Sequence, residues 1–211
     1  MLSLLKQEIK KYALFSNNYF QEIVILFAAT LFLVLQWYYP IGTSLNLSRL
    51  IYYFLFPILT IFIILRKNPL DFGLRIGDVK LWSFYIFITV IIGTPILYLS
   101  SYSSSLNQYY TSDFNFYHFL IITIPHLFVW EYLLRGFILF GLKTKLKETS
   151  ILIQMVPFVL LHLNKPGIET ISCIITGTWL GYVAYQGKSF WPAFIIHLFI
   201  NFTLSYFINY Y

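Results

Sequence analysis

The sequence predicts an all-α fold, a polytopic membrane helix bundle of about seven transmembrane helices, and three observations lead there. Of 211 residues, 59% are hydrophobic and only 10% are charged, against about a quarter charged in soluble domains. The apolar residues gather into seven runs separated by short polar breaks, and each crossing takes about 20 of them. All lysines and arginines except Arg135 fall in the breaks rather than in the runs. This composition excludes a soluble globular enzyme and a disordered chain. The net charge of +6 does not signal nucleic acid, because the basic residues form no single patch with interleaved polar residues.

Residues 1–18 carry Lys6, Lys10 and Lys11 on a mildly amphipathic segment, expected to lie along the membrane interface. The first span is expected at 19–39, closing on Trp37, Tyr38, Tyr39 and Pro40, an aromatic belt followed by a breaker. Its run contains no small-residue cleavage site, so it reads as an uncleaved span rather than a signal peptide. The second, 50–65, contains Pro57 and precedes Arg66 and Lys67. A polar segment with two glycines leads to the third, 81–99, and a loop rich in Ser and Tyr follows, free of Lys and Arg. The fourth, 116–142, ends before Lys143, Lys145 and Lys147. The fifth, 150–163, is short for a crossing, and N-K-P-G breaks the chain before the sixth at 168–185. The seventh is expected at 190–208. The chain thus divides into an interfacial segment (1–18), three spans with their loops (19–114) and a four-helix core (115–211).

The positive-inside rule orients this arrangement. With a cytoplasmic N-terminus, the inner segments hold Lys6, Lys10, Lys11, Arg66, Lys67, Arg75, Lys80, Lys143, Lys145, Lys147 and Lys188, and the outer loops only Arg49 and Lys165. The single cysteine, Cys173, has no partner for a disulfide and lies in an apolar run, as a packing residue does.

An ionisable group in hydrocarbon costs several kcal/mol, so those inside the spans are functional candidates. The first three spans hold almost none, whereas the last four hold His126, Glu131, Arg135, His162, His197 and Asn201. Glu131 and Arg135 lie four apart, on one helix face, and read either as a buried ion pair or as a general base with its charge partner. His197 and Asn201 repeat that spacing, as an interhelical contact or as two donors to an oxyanion. His162 closes the fifth span, where histidine also serves as a helix-end residue. One carboxylate, two histidines and an asparagine on three spans make an inventory able to activate water and stabilise a tetrahedral intermediate.

Three motifs carry a family resemblance: W-E-Y-L-L-R-G-F at 130–137, F-V-L-L-H at 158–162 and H-L-F-I-N at 197–201, with D-F-G-L-R at 71–75 ahead of them. In order and spacing they resemble the CPBP family of CAAX-protease and bacteriocin-processing (Abi-like) intramembrane endopeptidases, over about residues 115–203. The resemblance implies an endopeptidase in which Glu131, helped by His162, deprotonates a water, His197 with Asn201 stabilises the oxyanion, and Arg135 orients Glu131. The substrate would be a membrane-associated peptide or protein, prenylated or otherwise lipidated in some members. The family's glutamate pair is here Trp130–Glu131, so only its second member is present, and Trp130 would line the cavity or its entrance. The missing glutamate also allows an alternative, a non-catalytic relative acting as an immunity or binding protein. A transporter ranks below both, since no internal repeat is visible. No cofactor is expected. Were zinc bound, Glu131, His162 and His197 would be its ligands, with a fourth position open to water. Lys165, Pro166 and Glu169 read as a helix break and restart, and Gly177 and Gly181 as a G-x-x-x-G surface for close helix packing.

Overall fold

The computed structural model describes residues 2–42, 44–111 and 115–211. Nine helices and no strand occur among them. They are α1 (Leu2–Asn18), α2 (Phe20–Tyr38), α3 (Leu45–Ile64), α4 (Val79–Ser100), α5 (Ser104–Tyr110), α6 (Phe116–Leu146), α7 (Thr149–Leu160), α8 (Gly167–Gly187) and α9 (Trp191–Tyr210). Each of the seven apolar runs is a helix. Five of these, α2, α3, α4, α6 and α9, are long and apolar enough to cross a membrane. The other two expected crossings are the 12-residue α7 and the 21-residue α8. Five such helices make the protein a multi-pass helical membrane protein; the expected fifth and sixth crossings, on α7 and α8, are not among the five.

The Ser/Tyr-rich segment expected to be a loop contains α5, whose Leu106 is buried. Leu106 packs against the bundle and Tyr110 hydrogen-bonds Glu169 on α8, tertiary contacts that composition alone does not show.

The bundle is organised around α6. Every residue from Tyr132 to Ile138 is buried, and this stretch winds with π-type i→i+5 hydrogen bonds. Shorter π-type turns precede Pro57 in α3 and Pro125 in α6. Proline lacks an N–H and clashes with the carbonyl four residues back, so a wider turn accommodates it. In α6 that carbonyl is Ile121 O, and the Asn46 amide on α3 reaches Ile121 O at 3.5 Å and Ile122 O at 3.1 Å. A backbone acceptor freed inside the bilayer thereby regains a donor.

The G-x-x-x-G surface of α8 packs on α7. A Cβ on Gly177 would stand 2.6 Å from the Phe158 ring, and one on Gly181 would collide with Gln154. These glycines set the separation of two helices that both contribute to the site.

At the basic end of the bundle the D-F-G-L-R segment acts as a clasp. Phe72 is buried, and Gly73, at φ +83°, lies so close to α6 that a Cβ there would stand 3.3 Å from the Gly136 Cα. Gly73 O accepts Phe190 N–H at 3.0 Å, and Leu74 O accepts the Trp191 indole N–H at 3.2 Å, which ties the linker to the start of α9. Asp71 and Arg75 pair at 2.8 Å on the exposed side. Three non-glycine residues have positive φ among those described, and all are basic: Arg66, Lys147 and Lys188. They follow the ends of α3, α6 and α8, where a cation also meets the negative end of the helix dipole.

Candidate active site

Glu131 and Arg135 are fully buried on successive turns of α6. The Arg135 guanidinium donates from Nη1 to Glu131 Oε1 at 2.8 Å. It lies 4.2 Å from the centre of the Phe158 ring on α7, and its Nη2 approaches Gly177 O on α8 at 3.4 Å. A single buried cation thus spans three helices. Gln154 on α7 donates to the same Gly177 carbonyl at 2.9 Å, so the close contact of α7 and α8 is hydrogen-bonded as well as packed.

His197 reaches across from α9. Its Nδ1 stands 2.6 Å from Glu131 Oε1, the atom that also receives Arg135. An ionised carboxylate only accepts, so Nδ1 is the donor. His162 is fixed in the same sense by a different acceptor. Its Nδ1 lies 2.7 Å from Phe158 O, one turn back on α7, and a carbonyl also only accepts. The turn after α7 is held by Thr170, whose hydroxyl donates to His162 O at 2.6 Å. The two imidazole rings are 6.4 Å apart, and Phe158 touches both, at 4.5 Å from His162 and 5.6 Å from His197.

Trp130 completes this wall. Its ring is 5.7 Å from His162 and 4.5 Å from His126, which lies one turn before it on α6. Four of the buried polar atoms lacking a partner among the described residues belong here: Trp130 Nε1, His126 Nδ1, Glu131 Oε2 and Arg135 Nε. Buried polar atoms are nearly always hydrogen-bonded, so this group of unsatisfied donors and acceptors sets the region apart from the apolar packing around it.

The sequence-derived candidates therefore divide. Glu131, Arg135, His162 and His197 come together, directly or through Phe158. Asn201 does not reach the carboxylate. Its amide donates to His197 O on its own helix at 3.1 Å, and its side chain lies on the wall of an apolar cavity of about 450 Å³ between α4, α8 and α9. Glu131, His162 and His197 are not grouped as a zinc ligand set: no such cluster of three His, Cys, Asp or Glu side chains occurs among the described residues. Glu131 Oε1 and His197 Nδ1 are committed to each other, and His162 Nδ1 to a carbonyl. Lys165 and Glu169 pair at 2.7 Å, and Tyr110 donates to Glu169 at 2.8 Å, closing one end of the α4–α8–α9 cavity. Burial and the Glu169 carboxylate both push the Tyr110 phenol up, so it stays a neutral donor.

Phe158 and Gln154 were missed as site residues. Phe158 was visible as the first letter of F-V-L-L-H, and Gln154, one turn before it, is a lone amide in an apolar helix.

With this geometry in place, comparison with known proteins adds one finding. Residues 112–203 match the family model described as Rce1-like, type II CAAX prenyl endopeptidase Rce1-like. Over this segment the chain is similar to the CPBP family, to which that model corresponds. All five candidate residues, Glu131, Arg135, His162, His197 and Asn201, fall inside the matched segment. The D-F-G-L-R clasp lies outside it, although it packs directly on α6. No curated protein and no solved structure matches the chain.

Proposed function

We propose that this protein is an intramembrane endopeptidase that hydrolyses a peptide bond of a membrane-associated peptide or protein. The observation that carries the reading is the shared Oε1 of Glu131, bonded at once to Arg135 and to His197 Nδ1. An ordered carboxylate–imidazole–acceptor line is the arrangement by which proteins activate a weak nucleophile.

Glu131 activates water through His197. With Nδ1–H held by the carboxylate, His197 Nε2 accepts a proton from a water as its oxygen attacks the scissile carbonyl carbon. The carboxylate stabilises the imidazolium that forms, and Arg135 keeps the carboxylate in place. His162 Nε2 accepts a hydrogen bond from the second water proton and so orients the lone pair. The unpartnered Trp130 N–H donates to the oxyanion of the tetrahedral intermediate. When that intermediate collapses, the imidazolium returns its proton to the leaving amine. Asn201, at the edge of the apolar cavity, contacts substrate beside the scissile bond rather than the carboxylate. In this chain Trp130 replaces the acceptor of the family's first glutamate with a donor, which moves the proton-accepting role to the imidazole.

The non-catalytic alternative, an immunity or binding protein on the same scaffold, draws on one observation: Glu131 has no exposed surface and forms a closed ion pair. Purified protein in proteoliposomes with a quenched fluorescent membrane-anchored peptide separates the two. Cleavage lost in His197→Gln supports the peptidase, whereas no cleavage by the wild type of any peptide in a membrane-anchored library, with a biological effect that survives Glu131→Gln, supports the scaffold.

A further inference from the structure

A second polar site lies at the basic end of the bundle, away from Glu131. A cleft of about 290 Å³ is lined by Leu70, Asp71, Gly73 and Arg75 of the clasp, Phe140, Lys143 and Thr144 of α6, and Lys188 after α8. Its charges are unbalanced. Arg75 is satisfied by Asp71, with Nε at 2.9 Å and Nη2 at 2.8 Å from the same carboxylate oxygen. Lys143 and Lys188 repel one another across the cleft, and Glu148 acts on Lys143 in the opposite sense.

Each lysine is held in place at a cost. Lys143 is pinned by Tyr185, whose carbonyl oxygen is 2.7 Å from Nζ and whose ring centre is 3.9 Å away. Two of its three ammonium donors remain for another acceptor. Lys188 is the residue after α8 and adopts a left-handed conformation, φ 54° and ψ 33°. Glycine is the favoured residue at this helix-ending position. A lysine here accepts backbone strain and adds a like charge to the cleft.

We propose that this cleft binds the phosphate of an anionic phospholipid headgroup. The position argues for lipid over a free anion. Lys143 stands in the last turn of a helix long and apolar enough to cross the membrane, so the cleft lies at the boundary where lipid phosphates reside. Its walls pair cations with the apolar side chains Leu70 and Phe140, as a headgroup joined to acyl chains requires. Basic pockets at helix ends recognise such headgroups, and each lysine near an anionic surface contributes about fivefold in affinity.

Native mass spectrometry of the purified full-length protein with equal phosphatidylglycerol and phosphatidylcholine tests the site. The wild type retains phosphatidylglycerol in preference. Lys188→Gly relieves the left-handed strain, so its thermal midpoint stays level or rises while phosphatidylglycerol retention falls about fivefold. Lys143→Gln falls by a similar factor, and millimolar inorganic phosphate releases no lipid. Equal retention of the two lipids, or undiminished retention in Lys188→Gly, overturns the proposal. Release by inorganic phosphate overturns it too, by making the cleft a free-anion site. Peptide cleavage does not enter the readout, so the result is independent of the proposed protease activity.

Discussion

Glu131 Oε1 lies 2.6 Å from His197 Nδ1 and 2.8 Å from Arg135 Nη1, so one oxygen atom joins two helices and three ionisable side chains in the dry centre of the bundle. A carboxylate used this way orients and charges its partners. The group left facing outward from the pair is the imidazole Nε2, and the consequences can be measured one residue at a time.

Arg135 is a buried cation whose carboxylate partner among the described residues is Glu131. Arg135→Met leaves that carboxylate buried without its cation and with only the His197 N–H, at a cost of about 3–5 kcal/mol. Thermal unfolding in detergent should show a large drop in midpoint. A midpoint equal to that of the wild type would mean that the pair contributes nothing to the fold.

Trp130→Phe keeps an aromatic ring against His126 and His162 but removes the indole N–H. Loss of one oxyanion donor lowers kcat by about 10²–10³-fold, with KM little changed. Steady-state cleavage kinetics check this, and a rise in KM with kcat intact would assign Trp130 to substrate binding instead.

Gly177→Ala places a methyl group 2.6 Å from the Phe158 ring. Phe158 carries the Arg135 contact and both histidines, so the overpacking, about 1–3 kcal/mol, is transmitted to the site. Both the thermal midpoint and kcat should fall. Gly167→Ala, which meets nothing within 4 Å, should change neither.

Asn46 supplies a test remote from the chemistry. Asn46→Leu leaves the carbonyls of Ile121 and Ile122 without the α3 donor in an apolar setting, a loss of about 1–3 kcal/mol. Hydrogen exchange at the start of α6 should rise. Unchanged protection there would show that the π-type turn alone satisfies the proline break.

Much of this architecture was legible in the sequence because hydrocarbon imposes a simple pattern. Each apolar run is a helix, since only a helix satisfies its own backbone in lipid. Glu131 and Arg135 announced their contact by a four-residue spacing on one helix. The contact between Glu131 and His197 joins residues 66 apart, and no helical period encodes which faces of α6 and α9 meet. The same limit explains Asn201. Its spacing from His197 places it on the right face of α9, yet one turn further along it meets a different neighbour, the α4–α8–α9 cavity. The helix in the Ser/Tyr-rich segment rests on a buried leucine and a tyrosine bonded to α8, long-range contacts that composition does not resolve. The basic cleft was visible only as positive-inside charge, because the clasp, α6 and the end of α8 converge there through tertiary packing.

The most direct test of the account is cleavage of a membrane-anchored peptide by wild type and His197→Gln in proteoliposomes. This variant keeps the Glu131–Arg135 ion pair, so it should fold with an unchanged thermal midpoint. Removal of the proton acceptor should lower the cleavage rate by at least about 10²-fold. Cleavage by His197→Gln at the wild-type rate would contradict the account, because water activation would then not pass through the imidazole that Glu131 holds.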